Sequence, residues 1–291
     1  MASLAQVLIS GLQIGCIYAL MALSFYMILS ATGILNFAQG EWMMISGVLG
    51  VTLLGLGVPY AAALALSIAG VTCLAVLSER LIIRPLQHRN ASPAITLLAL
   101  FGIMLVARYG TGRLHGKLDE PLPAPLGSDV IFLSRDVFIF PQTLLIFAAT
   151  AALFGGAVLF LRRSTLGRSL RVAAIDPLAA SLVGVNLDTV RLVAFATGGL
   201  IAGCVAWLYA PLYAAGYMTG VIPGIKGFIA LFVGGMAGPT GALLGGLLLG
   251  LLEVSASRYL PSVYAQGIAF ALLMIVLAVR PRGLLGGPAA A

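Results

Sequence analysis

The chain has 291 residues, of which 61% are hydrophobic and 9% charged, and its formal net charge is +7. A soluble domain carries about 25% charged residues, so this composition excludes a water-covered globule and requires an integral membrane protein. The basic residues gather in short segments between apolar runs, a pattern that marks membrane topology rather than a nucleic-acid surface.

Nine apolar segments are predicted, at 5–30, 42–57, 60–83, 93–110, 142–161, 190–210, 224–236, 240–256 and 263–279. A helix needs about 20 apolar residues to cross the hydrocarbon core, and the strict alternation of a β-barrel is absent. The expected fold is all-α: a polytopic helical bundle of about 8–10 transmembrane segments, some of them broken or re-entrant. It would occupy the chain as one membrane domain, 1–291. Segment 5–30 lacks the positive flank and cleavage site of a signal peptide and is expected to be retained.

Segment 5–30 runs into "GILNFAQGEW", 33–42, where Asn36, Gln39 and Glu41 fall together with Gly33 and Gly40 around them. On either side, 4–32 and 43–78 carry no formal charge. The expectation is a break in a membrane helix. Gly33 and Gly40 permit the bend, Asn36 satisfies freed backbone groups, Gln39 faces a pathway and Glu41 restarts the helix.

Segment 60–83 leads into Arg80, Arg84 and Arg89; Arg162, Arg163, Arg168, Arg171 and Arg191 form a second basic group, and Arg280 and Arg282 a third. Short Arg-rich loops stay in the cytoplasm, so 79–92, 162–191 and the C-terminus are assigned inside and the Pro-rich, mixed-charge 111–141 outside. Three full spans before residue 84 put the N-terminus outside, while a broken second helix allows it inside. Segment 224–236 is too short to span alone and follows a second interruption, "GYMTGVIPGIKG", 216–227, with Pro223 and Lys226. Paired interruptions in the two halves point to a substrate pathway built from broken helices.

Ionisable residues at membrane depth cost about 2.5–3.5 kcal/mol on insertion scales, and Glu41, Lys226 and Glu253 are the candidates. Glu253, near "SASRYLPS", is expected at a helix end. Glu41 either caps a helix, where the dipole favours a carboxylate by about 0.3–1 kcal/mol, or pairs with Lys226 and ties the two interruptions together. Gly234, Gly235, Gly238, Gly241, Gly245 and Gly246 lie in or beside apolar segments, many of them four apart, a spacing that lets membrane helices approach closely. They serve packing within the chain, a subunit interface, or both.

Cys16, Cys73 and Cys204 are scattered through apolar segments and His88 and His115 through loops, with no metal-ligand spacing. The nearest approach to a Walker A motif, Gly116-Lys117, is followed by Leu118 and lacks the upstream Gly. No cofactor is therefore expected on this chain, and any ATP would be used by partner subunits. An ion-coupled secondary transporter would need several acidic residues at membrane depth, where only Glu41 is a serious candidate. A channel would need a filter, and an intramembrane enzyme a nucleophile–base pair or metal cluster; neither is legible.

The stretch "RRSTLGRSLRVAAIDPLAASLVGVN", 162–186, predicts a short helix over 177–183, with Asp176 as N-cap, Pro177 at the first helical position and Gly184 as C-terminal cap. A small-faced helix of this kind either docks on a soluble partner or is an ordinary connection. The same stretch resembles the coupling-loop signature of the permease subunits of ABC importers for branched-chain amino acids, through Arg162/Arg163, Ser164, Gly167, Arg168, Arg171, Asp176, Ala180, Gly184, Val185 and Asn186. Gly33, Asn36, Phe37, Ala38, Gln39, Gly40 and Glu41 are similar to a second family motif, with Gln39 where His is commoner. "GIKGFIALFVGGMAGPTGALLGGLLLGLLE" is similar to a third, with Gly227 where Ala is commoner.

The resemblance covers nearly the whole chain and is to the first of the family's two permeases. It implies a multi-pass protein of the bacterial inner membrane, a second homologous permease subunit, two cytoplasmic ATPase subunits and a periplasmic substrate-binding protein. The implied cargo is leucine, isoleucine, valine or a related neutral amino acid, with amides, urea and aromatic or carboxylic acids as alternatives. It implies ATPase coupling through Gly167, Arg168, Arg171, Asp176, Ala180 and Gly184, and a pathway lined or braced by Asn36, Gln39, Glu41 and Lys226.

Overall fold

The computed structural model describes residues 4–286 apart from 117, 128, 135–136, 237, 259–261 and 281, so the ends of the predicted 1–291 membrane domain and Lys117 lie outside the described residues. Helices dominate, as expected. α1 is Leu4–Thr32, α2 Gln39–Gly55 and α3 Tyr60–Ser78. α3 continues through a π-helical turn, Glu79–Ile83, into α4, Arg84–His88. α5 is Pro93–Leu114, α6 Pro141–Arg163, α7 Thr165–Ile175 and α8 Pro177–Leu182. α9 is Leu187–Tyr213, α10 Val221–Gly234, α11 Pro239–Ser257 and α12 Ser262–Val279.

Among the described residues, six helices are long and apolar enough to cross a membrane: α1, α3 with its extension to His88, α5, α6, α9 and α11. α10 is an apolar helix too short to cross alone, as its sequence predicts. The segment 111–141 holds an antiparallel hairpin that the apolar pattern did not signal, β1 (Ile131–Ser134) with β2 (Val137–Ile139), pairing Ile131 with Ile139 and Phe132 with Phe138.

α1 is the central post. Gly246 and Gly250 of α11 lie so close to it that a Cβ would overlap the backbone of Ala19 and Gly15. Gly245 is held in the same way against Ala230 of α10, and Gly234 against Gly241. Gly234, Gly241, Gly245, Gly246 and Gly250 are thus committed to packing inside the chain. Gly235 has φ +94 and meets the backbone of Arg282 and Gly286, whereas Gly238 has only the Thr240 hydroxyl nearby, at 3.8 Å. The subunit-interface alternative finds no free face on Gly241, Gly245 or Gly246, which are buried.

The ends sort cleanly. At one end Phe138 donates its amide to Gln6 Oε1 (3.0 Å), Thr52 meets His115 (3.3 Å), and Glu120 bridges Ala215. At the other, Arg84 pairs with Asp188 (2.5 Å), Arg191 bonds Gln87 and Asp188, and Leu284 donates to Val233 O (2.9 Å). The start of α1 therefore shares an end with the hairpin, opposite the Arg-rich segments. α1, α2 and α3 run alternately between these ends, so with the 33–38 break included the chain changes ends three times before Arg84.

Candidate functional site

α1 stops because Gly33 takes φ +64, with its amide on Leu29 O at 2.8 Å. The chain is non-helical from 33 to 38, and buried backbone there needs partners. Asn36 supplies one, its Oδ1 accepting from the Ala38 amide (3.1 Å) while its Nδ2 donates to Gln39 Oε1 (3.1 Å). Gln39 Nε2 donates to Ser24 Oγ on α1 and to Gly198 O on α9 (2.8 Å). Asn36, Gln39 and Glu41 are 2%, 0% and 1% exposed. Gln39 thus ties the break to both α1 and α9, the bracing alternative of the two its sequence had offered.

The second interruption is the counterpart. α9 ends at Tyr213, Gly216 N donates to Thr219 Oγ1 (2.7 Å), and α10 begins at Val221 with Pro223 in its first turn, where a missing N–H breaks no helical bond. The starts of α2 and α10 meet: a Cβ on Gly40 would overlap the carbonyl of Gly220, and the reverse holds too. From this crossing α2 runs to the hairpin end and α10 to the basic end. Gly40 therefore serves close approach rather than the bend assigned to it.

The interruptions touch through glycine backbone, not through the expected Glu41–Lys226 ion pair. Glu41 instead pairs with Arg108 of α5, which donates Nε (3.0 Å) and Nη2 to the same oxygen, Oε1. Lys226 pairs with Glu253 of α11, donates to Tyr18 Oη (3.1 Å) and lies over the Tyr18 ring, 5.2 Å from its centroid. The reason is the crossing itself, since Glu41 and Lys226 line different cavities on its two sides. Glu253 is accordingly an ion-pair partner within the bundle, one turn before the end of α11.

The Glu41 cavity has a volume of about 400 Å³ and apolar walls that include Phe101, Met104, Phe228 and Leu273, with Arg108 among them. The Lys226 cavity, about 600 Å³, lies toward the hairpin end and is lined in part by Gln13, Tyr209 and Tyr213.

At the basic end Ser164 Oγ caps α7 by accepting from Gly167 N (2.8 Å), and Gly167 packs where a Cβ would overlap Phe160 O. α7 was not predicted; its small buried set, Gly167, Leu170 and Ala173, spans too few turns to stand out in the sequence. α8 matches its prediction closely. Asp176 Oδ1 accepts from Leu178 N (2.8 Å) and Ala179 N (3.0 Å), Gly184 has φ +85, and Ala180 is buried. Arg168 and Arg171 are exposed. Leu178, Leu182 and Val183 are 73%, 82% and 75% exposed.

Two charges inside the bundle, the half-buried Arg108 and the buried Glu79, escaped sequence reasoning. Arg108 stands in "MLVARYG", and the test that found Glu41 finds it too once the segment end is not discounted. Glu79 is fully buried in the π-helical turn, with neither carboxylate oxygen hydrogen-bonded among the described residues.

Comparison with known proteins matches this sequence to a family. The family model for the branched-chain amino acid transport system permease component matches residues 7–277. The chain is 33% identical to the high-affinity branched-chain amino acid transport system permease protein BraD of Pseudomonas aeruginosa, covering 97% of this chain and 96% of BraD. It is 30% identical to LivH of Salmonella typhimurium and 29% to LivH of Escherichia coli, permeases of the same description, with the same coverage. These relatives are components of transport systems, not enzymes. A multi-pass membrane bundle with two broken helices meeting inside it, matched by one family model over nearly its whole length, belongs to the branched-chain amino acid transport system permease family.

Proposed function

We propose that this chain is the membrane-spanning permease subunit of an ATP-driven, binding-protein-dependent importer for branched-chain or related neutral amino acids, and forms half of its translocation pathway. The observation that carries the reading is the meeting of α2 and α10, start to start, beside an apolar cavity holding one ion pair. Half-helices that begin inside a membrane aim backbone N–H groups at cargo. The lining includes the exposed Phe37, Phe101 and Phe270, which supports a second permease subunit completing the wall.

The basic end faces the cytoplasm under the rule that retains Arg-rich loops there, in a bacterial inner membrane, and the N-terminus and hairpin face the periplasm and its substrate-binding protein. Leu178, Leu182 and Val183 are then apolar groups in water, which a partner must cover. The occupants are two cytoplasmic ATPase subunits, each permease presenting one such helix, with Arg168 and Arg171 making charge-assisted contacts beside it. Asn36 and Gln39 brace the break, while the Glu41 and Lys226 cavities lie along the route.

The reading is tested by reconstituting the complete complex with its binding protein and measuring leucine uptake and ATP hydrolysis. Leu178→Asp with Leu182→Asp, both exposed, is expected to leave the membrane subunits assembled and to abolish stimulated hydrolysis. Full stimulation in that variant would sink the docking role.

A further inference from the structure

The Arg108–Glu41 pair leaves part of its hydrogen-bonding capacity unused. An arginine and a carboxylate that only neutralise each other favour the two-pronged arrangement, one N–H to each oxygen. Here Nε and Nη2 both donate to Oε1. Glu41 Oε2 is buried and unpartnered, and no bond from Arg108 Nη1 is found among the described residues. Buried polar groups are rarely left half-used, and those that are call for an explanation. The pair stands at a cavity of about 400 Å³, within the range of about 300–1,000 Å³ typical of small-molecule sites. The rest of the wall is almost wholly apolar: Phe101, Met104, Phe228 and Leu273 beside the pair.

We propose that Arg108, held by Glu41, is the carboxylate-recognition point of the membrane pathway, for a small cargo whose apolar side chain lies against Phe101, Met104, Phe228 and Leu273. This rests on the permease reading and deepens it. The guanidinium keeps donors beyond those given to Glu41, and their fork fits a carboxylate. Glu41 does two things. It fixes the direction of the guanidinium, and it offsets the positive charge so that an anionic group is met but not retained, as a passage requires. The cargo class is then a carboxylate on an apolar body, as in a branched-chain amino acid or an aromatic acid. Urea and simple amides lack the group that Arg108 reads.

The test is the double variant Glu41→Gln with Arg108→Gln in the complete reconstituted complex, with labelled leucine as probe. If the pair is only structural, two neutral amides replace it and leucine uptake returns to within twofold of wild type, which overturns the proposal. If Arg108 reads the carboxylate, the double variant assembles and keeps binding-protein-stimulated ATP hydrolysis but loses leucine uptake at least tenfold. Should the double variant not assemble, Arg108→Lys is read instead: charge is kept and the fork lost, and at least a threefold fall in uptake per ATP is expected. Unchanged uptake there overturns the proposal equally. A wild-type complex that moves none of leucine, isoleucine, valine or benzoate overturns the permease reading, and the proposal with it. Wild-type uptake matched by the variants overturns the proposal alone.

Discussion

Gly40 and Gly220 each occupy the space in which a Cβ on the other would lie, and this contact joins the two broken helices of the chain. Added methyl groups must push α2 and α10 apart. Overpacking of this kind costs about 1–3 kcal/mol. Gly40→Ala and Gly220→Ala are each expected to lower the melting temperature of the detergent-solubilised complex by several degrees and to reduce transport. Gly102→Ala on α5 is the control: a Cβ there meets nothing within 4 Å, and alanine is the better helix former by about 1 kcal/mol. Equal melting temperatures for all three would remove the crossing as a constraint.

The Lys226–Glu253 pair gives a prediction that separates it from the pairing expected from sequence. Removing one partner of a buried pair costs about 3–5 kcal/mol, because the other charge is left uncompensated. Glu253 keeps 18% side-chain exposure, which argues for the lower end. Lys226→Met alone is expected to destabilise strongly, and Lys226→Met with Glu253→Gln much less than the sum of the single changes. Lys226→Met and Glu41→Gln are expected to add, since the two residues have separate partners. Thermal unfolding in detergent of the two double-mutant cycles, which share the wild type and Lys226→Met, measures both terms, and additivity in the first cycle counts against the pair.

How much of this was legible can be argued from these same residues. Helix positions followed from apolar runs, because each run must be long enough to cross and its ends carry Gly, Pro or Arg. The break at 33–41 and the helix after Asp176 followed from local chemistry: a positive φ at Gly33, an N-cap at Asp176 and a positive φ at Gly184. Pairing did not follow. Glu41 and Lys226 were the most conspicuous charges, yet which opposite charge each meets depends on how α2 and α10 rotate at the Gly40–Gly220 crossing, a three-dimensional fact with no signature along the chain. The partners of Gln39 did not follow for the same reason. An amide in an apolar run reads as a passage residue or as a brace, and only the positions of Ser24 and Gly198 decide.

Asp176 makes α8 a short helix with one main restraint at its start. Loss of an N-cap costs about 0.5–2 kcal/mol, a large share for six residues. Asp176→Ala is expected to speed amide exchange at Leu178 and Ala179 at least tenfold, to leave the spanning helices unchanged, and to lower stimulated ATP hydrolysis. Asp176→Asn, which keeps an acceptor, is expected to restore both. An alanine variant with normal exchange would mean that packing of the buried Ala180 alone holds the helix.

Orientation is open to direct chemistry, because the two ends are separable by reagent access. In a Cys16→Ala, Cys73→Ala, Cys204→Ala background, single cysteines at Leu56 and Leu118 sit at the hairpin end, and one at Leu182 sits at the basic end; all three positions are exposed. With the Arg-rich segments retained inside, a membrane-impermeant maleimide is expected to label the cysteines replacing Leu56 and Leu118 in spheroplasts, and the one replacing Leu182 only after permeabilisation. The cysteine at Leu56 is the most informative of the three. It follows α2, so its labelling from outside requires that the extended stretch 33–38 and α2 together make one crossing, which puts the N-terminus outside. Labelling at Leu56 only after permeabilisation, with Leu118 still labelled from outside, would contradict the shared end that Thr52 and His115 define.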